Sequence, residues 1–371
     1  MISFIHGCNV VAVEELQMLP APSVSARAAV LMCADNNQVL YSKKPNEQLP
    51  MASTTKIMTS LLAIEEMELN NREVTITDEM VRVEGSSMGL LPGNIVDLYA
   101  LAQGMLMCSG NDAANSAAFA ICGSKQEFAK KMNEKAKQIG MNNTLFVTPS
   151  GLDEGGHHST AYDMALLGSY AMENKSFADI VSQKCMKVCF IKPQQTCSFA
   201  NHNRLLKMYK PCIGIKTGFT EKAGRCLVSC AEKNGTKLIA VTLNAPNDWN
   251  DHVSLFEYGF SMVKSVKFDD SNFKKTIPLV GGNNQSISVV GTSSDNVTIK
   301  TEDVDKIKRY VEIDKFAYAP IKSGEVVGKV VYKVGDTVIA KNNLTVSNDE
   351  DKLVVNKSLW SKICDFFGNM F

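Results

Sequence analysis

Two side chains three residues apart could make a nucleophile at one point of this 371-residue sequence: Ser53 and Lys56, in Met51-Ala52-Ser53-Thr54-Thr55-Lys56. A hydroxyl attacks a carbonyl only if something takes its proton, and a desolvated lysine amine can do so near neutral pH. The apolar run Ile57-Met58-Thr59-Ser60-Leu61-Leu62-Ala63-Ile64 that follows predicts a helix, and residues i and i+3 share a helical face. The first helical turn would then set an amine beside a hydroxyl, at a helix end whose free N–H groups and positive dipole favour developing negative charge. The spacing alone is common, and Ser261/Lys264 and Ser271/Lys274 repeat it.

Context separates the candidates. Ser109-Gly110-Asn111 interrupts two helical patterns, 97–107 and 112–121, and so places a polar tripeptide between apolar helices. Lys216-Thr217-Gly218 lies on a predicted strand over 213–220, and this tripeptide arises by chance in roughly one chain of this size in ten. Ser-x-x-Lys on a helix, Ser-x-Asn between helices and Lys-Thr-Gly on a strand, in that order, are the motif set of penicillin-binding proteins and class A β-lactamases. Ser294-Asp295-Asn296 matches the middle motif in letters but falls after Lys-Thr-Gly, in a stretch of short strands.

The elements that must position these residues follow from periodicity and turn chemistry. Strands at 28–33 and 38–41 flank the turn Ala34-Asp35-Asn36-Asn37, and a loop runs from Gly85 to Gly93. A helix over 125–139 turns Phe128, Met132 and Ala136 inward and stops at Gly140; another covers 160–172 after the turn 148–156. Strands at 224–231 and 237–243 flank Asn234-Gly235, a strong two-residue hairpin signal, and a closing helix covers 251–263. Beyond residue 272 helical periodicity vanishes and short strands dominate, which predicts an all-β domain over 272–347.

Composition excludes several classes. Thirty-nine basic residues balance 39 acidic ones and no basic cluster is interleaved with aromatics, which disfavours nucleic acid as a partner. The eleven cysteines are an odd number without the look of a disulfide framework, and most sit in apolar stretches as small hydrophobes with free thiols. Cys185, Cys189 and Cys197 match no zinc spacing, so neither a metal nor a cofactor is expected. Residues 1–24 read as a leader or residual signal segment without a basic n-region, and no stretch of 18 apolar residues spans a membrane. Residues 358–371 place Leu359, Trp360, Ile363, Phe366, Phe367, Met370 and Phe371 along one helical face. This amphipathic helix suits a membrane interface, with packing on the β domain as the alternative.

On these motifs the chain resembles the low-molecular-mass penicillin-binding proteins, the serine D-Ala-D-Ala carboxypeptidases of peptidase family S11. The resemblance covers 25–265 through Ala52-Ser53-Thr54-Thr55-Lys56, Gly85-Ser86-Ser87-Met88, Ser109-Gly110-Asn111-Asp112-Ala113-Ala114, Thr148-Pro149-Ser150-Gly151-Leu152, Ser159-Thr160-Ala161-Tyr162-Asp163 and Lys216-Thr217-Gly218-Phe219-Thr220. It implies an α+β transpeptidase fold, an antiparallel sheet flanked by helices, followed by a small β-sandwich-like domain and the membrane-anchor helix. It also implies roles: Ser53 as acyl-ester nucleophile, Lys56 as general base, and Ser109 as proton relay toward the leaving amine. Asn111 would hold the substrate amide and Lys56, Lys216 and Thr217 the terminal carboxylate, Gly218 would let substrate lie along the strand, and the N–H groups of Ser53 and Phe219 would form the oxyanion hole. The implied partners are peptidoglycan stem peptides, β-lactam antibiotics and, through the C-terminal helix, the extracytoplasmic face of a bacterial membrane.

One departure concerns Asn201-His202-Asn203-Arg204-Leu205-Leu206, where some relatives carry an arginine that helps hold the carboxylate and this chain carries His202. A class A β-lactamase would need a deacylating Glu-x-x-Leu-Asn-like segment between the second and third motifs, which is lacking, so slow deacylation is expected. Gly85-Ser86-Ser87-Met88-Gly89 fits a nucleophile elbow in letters only, since it runs on as loop to Pro92-Gly93. The five histidines offer it no base, and His157-His158 reads as loop structure. Endopeptidase action on cross-links and a catalytically idle scaffold are the remaining alternatives.

Overall fold

The computed structural model describes residues 19–351, which divide into two compact units between Lys264 and Ser265. The amphipathic helix expected at 358–371 and most of the leader expected at 1–24 lie outside the described residues. Val24 is already buried in the core, and the Ser25 hydroxyl and amide both donate to Asp251. No helix among the described residues is long and apolar enough to cross a membrane.

Five strands, β1 (Ala28–Cys33), β2 (Val39–Lys43), β7 (Cys212–Thr220), β8 (Gly224–Lys233) and β9 (Thr236–Leu243), form an antiparallel sheet in the order β2-β1-β9-β8-β7. The pairs β3 (Glu73–Thr75) with β4 (Ile95–Asp97) and β5 (Cys185–Phe190) with β6 (Gln195–Ala200) are separate. Every residue of β1 is buried, and its pleat shares them between two cores. Ala28, Val30 and Met32 join Val228, Ile239 and Val241 on one face; Ala29, Leu31 and Cys33 join Leu227, Leu238 and Ala240 on the other. A strand covered on both faces reads as a continuous apolar run, which is why β1 shows no alternation in its sequence.

Helix α9 (Asp248–Met262) covers the second face with Leu255, Phe256 and Phe260. The first face carries α1 (Lys56–Leu69), α3 (Leu98–Met107), α4 (Asn111–Cys122) and α6 (Ala161–Glu173). Short helices α2 (Asp78–Val81), α7 (Lys175–Val181) and α8 (Leu205–Met208) fill connections, and α5 (Lys125–Ile139) packs Phe128, Met132 and Ala136 inward. Its ends are chemically marked: the Ser124 hydroxyl accepts from Glu127 N, and Gly140 takes a left-handed φ of 91°. The β8–β9 loop is Asn234-Gly235 with φ of 52° and 77°, the pair of positive values a type I′ hairpin requires.

Strand β10 (Val263–Asp269), which lies in the second unit from Ser265 on, pairs with β13 (Ser293–Lys300), and that unit also contains a six-stranded sheet of β11 (Lys274–Val280), β12 (Ser286–Gly291), β14 (Ile307–Ile313), β15 (Ala317–Tyr318), β16 (Val326–Val334) and β17 (Thr337–Val346). Inward residues alternate as half-buried strands demand: Ile277 and Leu279, Ile287 and Val289, Leu344 and Val346. Asp270, 4% exposed, closes this core by accepting from Arg309, Tyr332 and Asn342. The first unit is thus α+β, an antiparallel sheet flanked by helices, and the second is all-β, as expected.

The cysteines divide by environment. Cys226 and Cys230 are wholly buried and burial raises both thiol pKa values, Cys226 to about 12, while Cys185 and Cys189 are exposed on β5.

Candidate active site

Ser53 stands in a 3-10 turn, Ala52–Thr55, and the α-helix proper begins at Lys56. The expectation of a regular first α-helical turn is therefore corrected: Ala52 has φ 49°, a left-handed value that tightens the chain ahead of the helix. Thr54 secures the turn, its hydroxyl donating to Met51 O at 2.6 Å. The serine–lysine contact survives the tightening, with Lys56 Nζ 3.0 Å from Ser53 Oγ.

Lys56 is fully buried, and its Nζ also lies 2.6 Å from Asn111 Oδ1 and 2.6 Å from the Ser150 carbonyl. Burial, and next the charge of Lys216, hold its pKa well below the ordinary lysine value. A neutral amine has two N–H bonds and a lone pair. In its neutral form Lys56 would give its two hydrogens to Asn111 Oδ1 and Ser150 O and turn its lone pair to the Ser53 hydroxyl. This is the arrangement a general base requires.

The second motif reaches the site through strain and a tethered loop. Ser109 is 5% exposed and has φ 61°, an unusual value for a residue with a side chain, which turns the backbone sharply between α3 and α4. Asn111 donates through Nδ2 to Glu84 O at 2.6 Å and its N–H to Ser86 O at 2.7 Å, so its amide orientation is settled by neighbours on both sides. Asp112 then accepts from Ser87 Oγ at 2.6 Å, Met88 N at 2.8 Å and Leu90 N at 3.0 Å, pinning the 85–91 loop to the start of α4.

The third motif is on β7, the edge strand, beside the Ser53 turn. Lys216 Nζ donates to Ser109 Oγ at 3.1 Å and to Thr217 O at 2.9 Å. Burial lowers its pKa to about 8, so at pH 7 it remains mostly charged. After burial, the charge of Lys216 is the next cause that depresses Lys56, so the two buried amines work against being charged together. A Cβ on Gly218 would stand 3.0 Å from Ser53 N and Thr54 N, so any side chain here would press on the turn that carries Ser53. The Phe219 side chain is 64% exposed, and any contribution from this residue to an oxyanion site is by its backbone N–H. Ser53, Lys56, Ser109, Asn111, Lys216 and Gly218 are thus brought together by direct contacts, with Thr217 and Phe219 flanking Gly218 on the same strand.

The sequence marks 148–156 as a turn and 148–152 as a motif, but gives them no task at the site. Residues 147–157 press on the Ser53 turn: Thr59 Oγ1 donates to Pro149 O at 2.6 Å, and Lys56 donates to Ser150 O. A Cβ on Gly151, which has φ +84°, would fall 2.1 Å from Ala52 O. The loop reading of His157 holds, but with a definite task, since its ring lies 2.8 Å from Thr55 Oγ1. His202 is exposed; partial burial and then the Lys216 charge lower its pKa. The other fully buried histidine, His252, is held between Ser229 and Thr242 on the α9 side of the sheet, away from Lys56.

Comparison with known proteins agrees with this geometry. The family model described as D-alanyl-D-alanine carboxypeptidase matches residues 15–247, and that of the penicillin-binding protein 5 C-terminal domain matches 260–352. The D-alanyl-D-alanine carboxypeptidase DacF of Bacillus subtilis is 33% identical over 343 residues, 88% of this chain and 86% of that protein. The D-alanyl-D-alanine endopeptidase of Escherichia coli is 32% identical over 230 residues, 60% of this chain and 73% of its own length. Among solved structures, penicillin binding protein 5 from Haemophilus influenzae superimposes with a TM-score of 0.69 at 29% identity, covering 90% of this chain and all of that one. The chain belongs to the D-alanyl-D-alanine carboxypeptidase family of serine peptidases, peptidase family S11.

Proposed function

We propose that this chain is a penicillin-binding, serine-type D-Ala-D-Ala carboxypeptidase that removes the terminal D-Ala from peptidoglycan pentapeptide stems through an acyl-enzyme on Ser53. The observation that carries the reading is the 3.0 Å contact between Ser53 Oγ and the buried amine of Lys56. Lys56 takes the Ser53 hydroxyl proton as Oγ bonds to the carbonyl carbon of the penultimate D-Ala. The resulting oxyanion is met by the backbone N–H groups of Ser53 and Phe219, donors fixed before charge develops. The carbon–nitrogen bond breaks as the departing amine of the last D-Ala receives a proton, for which Ser109 is the relay. Water then cleaves the Ser53 ester, releasing the shortened stem and restoring the hydroxyl. Asn111 holds the substrate amide, and Lys216 with Thr217 holds the terminal carboxylate, a charge-assisted contact.

A β-lactam presents a strained amide in place of the D-Ala-D-Ala bond and acylates the same serine. Substrate of this kind lies outside the cytoplasm, which places the active site on the extracytoplasmic side of the membrane. The apolar residues of 358–371, among them Leu359, Trp360, Phe366 and Phe367, supply peripheral attachment there. The D-alanyl-D-alanine endopeptidase relative gives cross-link cleavage as a second reading, since that bond also follows a D-Ala carbonyl.

The test is twofold. A fluorescent penicillin should label the wild type and leave Ser53→Ala unlabelled, and the wild type should release D-Ala from a pentapeptide ending in D-Ala-D-Ala. Labelling that persists in Ser53→Ala removes the nucleophile assignment. Release of D-Ala only from cross-linked dimers moves the activity to endopeptidase.

A further inference from the structure

His157 is almost fully buried, and its two ring nitrogens have different partners. Nδ1 faces two backbone donors, Val147 N at 3.0 Å and Thr148 N at 3.4 Å, so it must be the bare acceptor nitrogen. Nε2 then carries the hydrogen and donates to Thr55 Oγ1 at 2.8 Å. One imidazole thus ties the start of the 147–152 loop to Thr55, the last residue of the nucleophile turn and the neighbour of Lys56. Two residues past Thr148, the same loop offers the Ser150 carbonyl to Lys56 Nζ. That carbonyl is one of the two acceptors that decide where the Lys56 lone pair points.

We propose that His157 is a positioning residue for acylation: by tethering Thr55 to the 147–152 loop it holds the Ser150 carbonyl on Lys56 and so keeps the lysine lone pair aimed at Ser53 Oγ. The inference rests on the acyl-enzyme reading above. His157 touches neither Ser53 nor substrate; it acts through Thr55 and the Ser150 carbonyl. A protonated imidazole could not accept from Val147 N, and the burial that holds this ring neutral, with its pKa lowered to about 4, keeps the tether intact across the working pH range. The titratable groups around the two residues are Lys216, Asp112 and Cys108 near Lys56, and Asp153 and His158 near His157.

Releasing the tether should let the loop relax and water reach Lys56, which raises the lysine pKa and depletes its neutral form at a given pH. The experiment is the pH profile of the second-order acylation rate constant with a fluorescent penicillin, on the full chain. Thr55→Val and His157→Ala should each slow acylation at pH 7 by roughly tenfold and move the rising limb of the profile up by about one pH unit. Thr55→Ser, which keeps the hydroxyl, and His157→Gln, which keeps an acceptor and a donor, should restore the wild-type limb. A fold defect alone would scale the whole profile without moving the limb.

An unmoved limb in Thr55→Val overturns the proposal, and so does a limb moved as far in Thr55→Ser as in Thr55→Val. Thr55→Val leaves His157 and its backbone bonds in place, so it decides the matter if His157→Ala does not fold. Wild type that fails to label would instead strike the acyl-enzyme reading, a separate outcome seen before any variant is compared.

Discussion

Replacing Gly218 with alanine should slow acylation of Ser53 by roughly 10- to 100-fold. The residue is not in the left-handed region, so alanine can adopt its backbone and the effect is steric alone. The added Cβ would stand 3.0 Å from Met51 O, Ser53 N and Thr54 N, where ordinary contact begins at 3.4 Å. All three obstacles are backbone atoms of the nucleophile turn, and none can rotate away as a side chain tip would. Strand β7 cannot retreat freely either, because Gly218 is in register with Cys226 on β8. The turn must therefore shift by a few tenths of an ångström, carrying Ser53 and its N–H out of line with Lys56. Overpacking of this kind costs about 1–3 kcal/mol, and a barrier rise of about 1.4 kcal/mol is already tenfold in rate. Stopped-flow acylation by a fluorescent penicillin gives the rate constant, and thermal melting confirms that the variant is folded. A Gly218→Ala protein that acylates as fast as wild type would refute the steric account of this glycine.

Acid should destabilise the catalytic unit through its two buried histidines. Burial lowers the pKa of His157 to about 4 and of His252 to about 3 from an ordinary 6.5, so the native state refuses a proton that the unfolded chain accepts. Their stabilisation is complete above pH 6.5 and falls as pH drops toward 4, by up to about 1.4 kcal/mol per pH unit for each. Urea unfolding at pH 7 and at pH 5 measures the slope, and equal stabilities would contradict it. In the β domain, Asp270→Ala should cost about 2–3 kcal/mol, because it leaves the buried Tyr332 hydroxyl without its acceptor and Asn342 Nδ2 with Phe268 O alone, while Arg309, its side chain 30% exposed, can turn to water. Thermal unfolding followed on the β domain's aromatic signal checks this, and an unchanged transition would count against it.

The side chains that meet at the candidate site were legible because each belongs to a short motif whose spacing does the positioning. Ser53 and Lys56 meet within one turn, and Lys216 and Gly218 lie on one strand, so local periodicity suffices for them. What escaped was whatever acts through the backbone or at long range. The Ser150 and Glu84 carbonyls that hold Lys56 and Asn111 have no signature, since every residue type offers the same oxygen. His157 was visible as a letter, but its partner Thr55 is 102 positions away. The helix start was misplaced by the left-handed Ala52, a conformation that nothing in the side chain demands. The sheet order was equally hidden: β1 pairs with both β2 and β9, and the burial of all six of its residues comes from cores on both faces of the sheet.

The pleat of that sheet also gives the protein a way to change. Odd and even positions along β1, β8 and β9 answer to different cores, and only one of those cores contains α1, the helix that begins at Lys56. Mutations that accumulate under α9, around Leu31, Leu238 and Leu255, would raise or lower the reserve of folding free energy while the reactive turn keeps its shape. Substitutions at Met58, Leu61 or Met105 in the other core would spend stability and alignment together. Directed evolution toward a hardier enzyme should therefore find its gains on the α9 face, and toward altered β-lactam susceptibility on the opposite one.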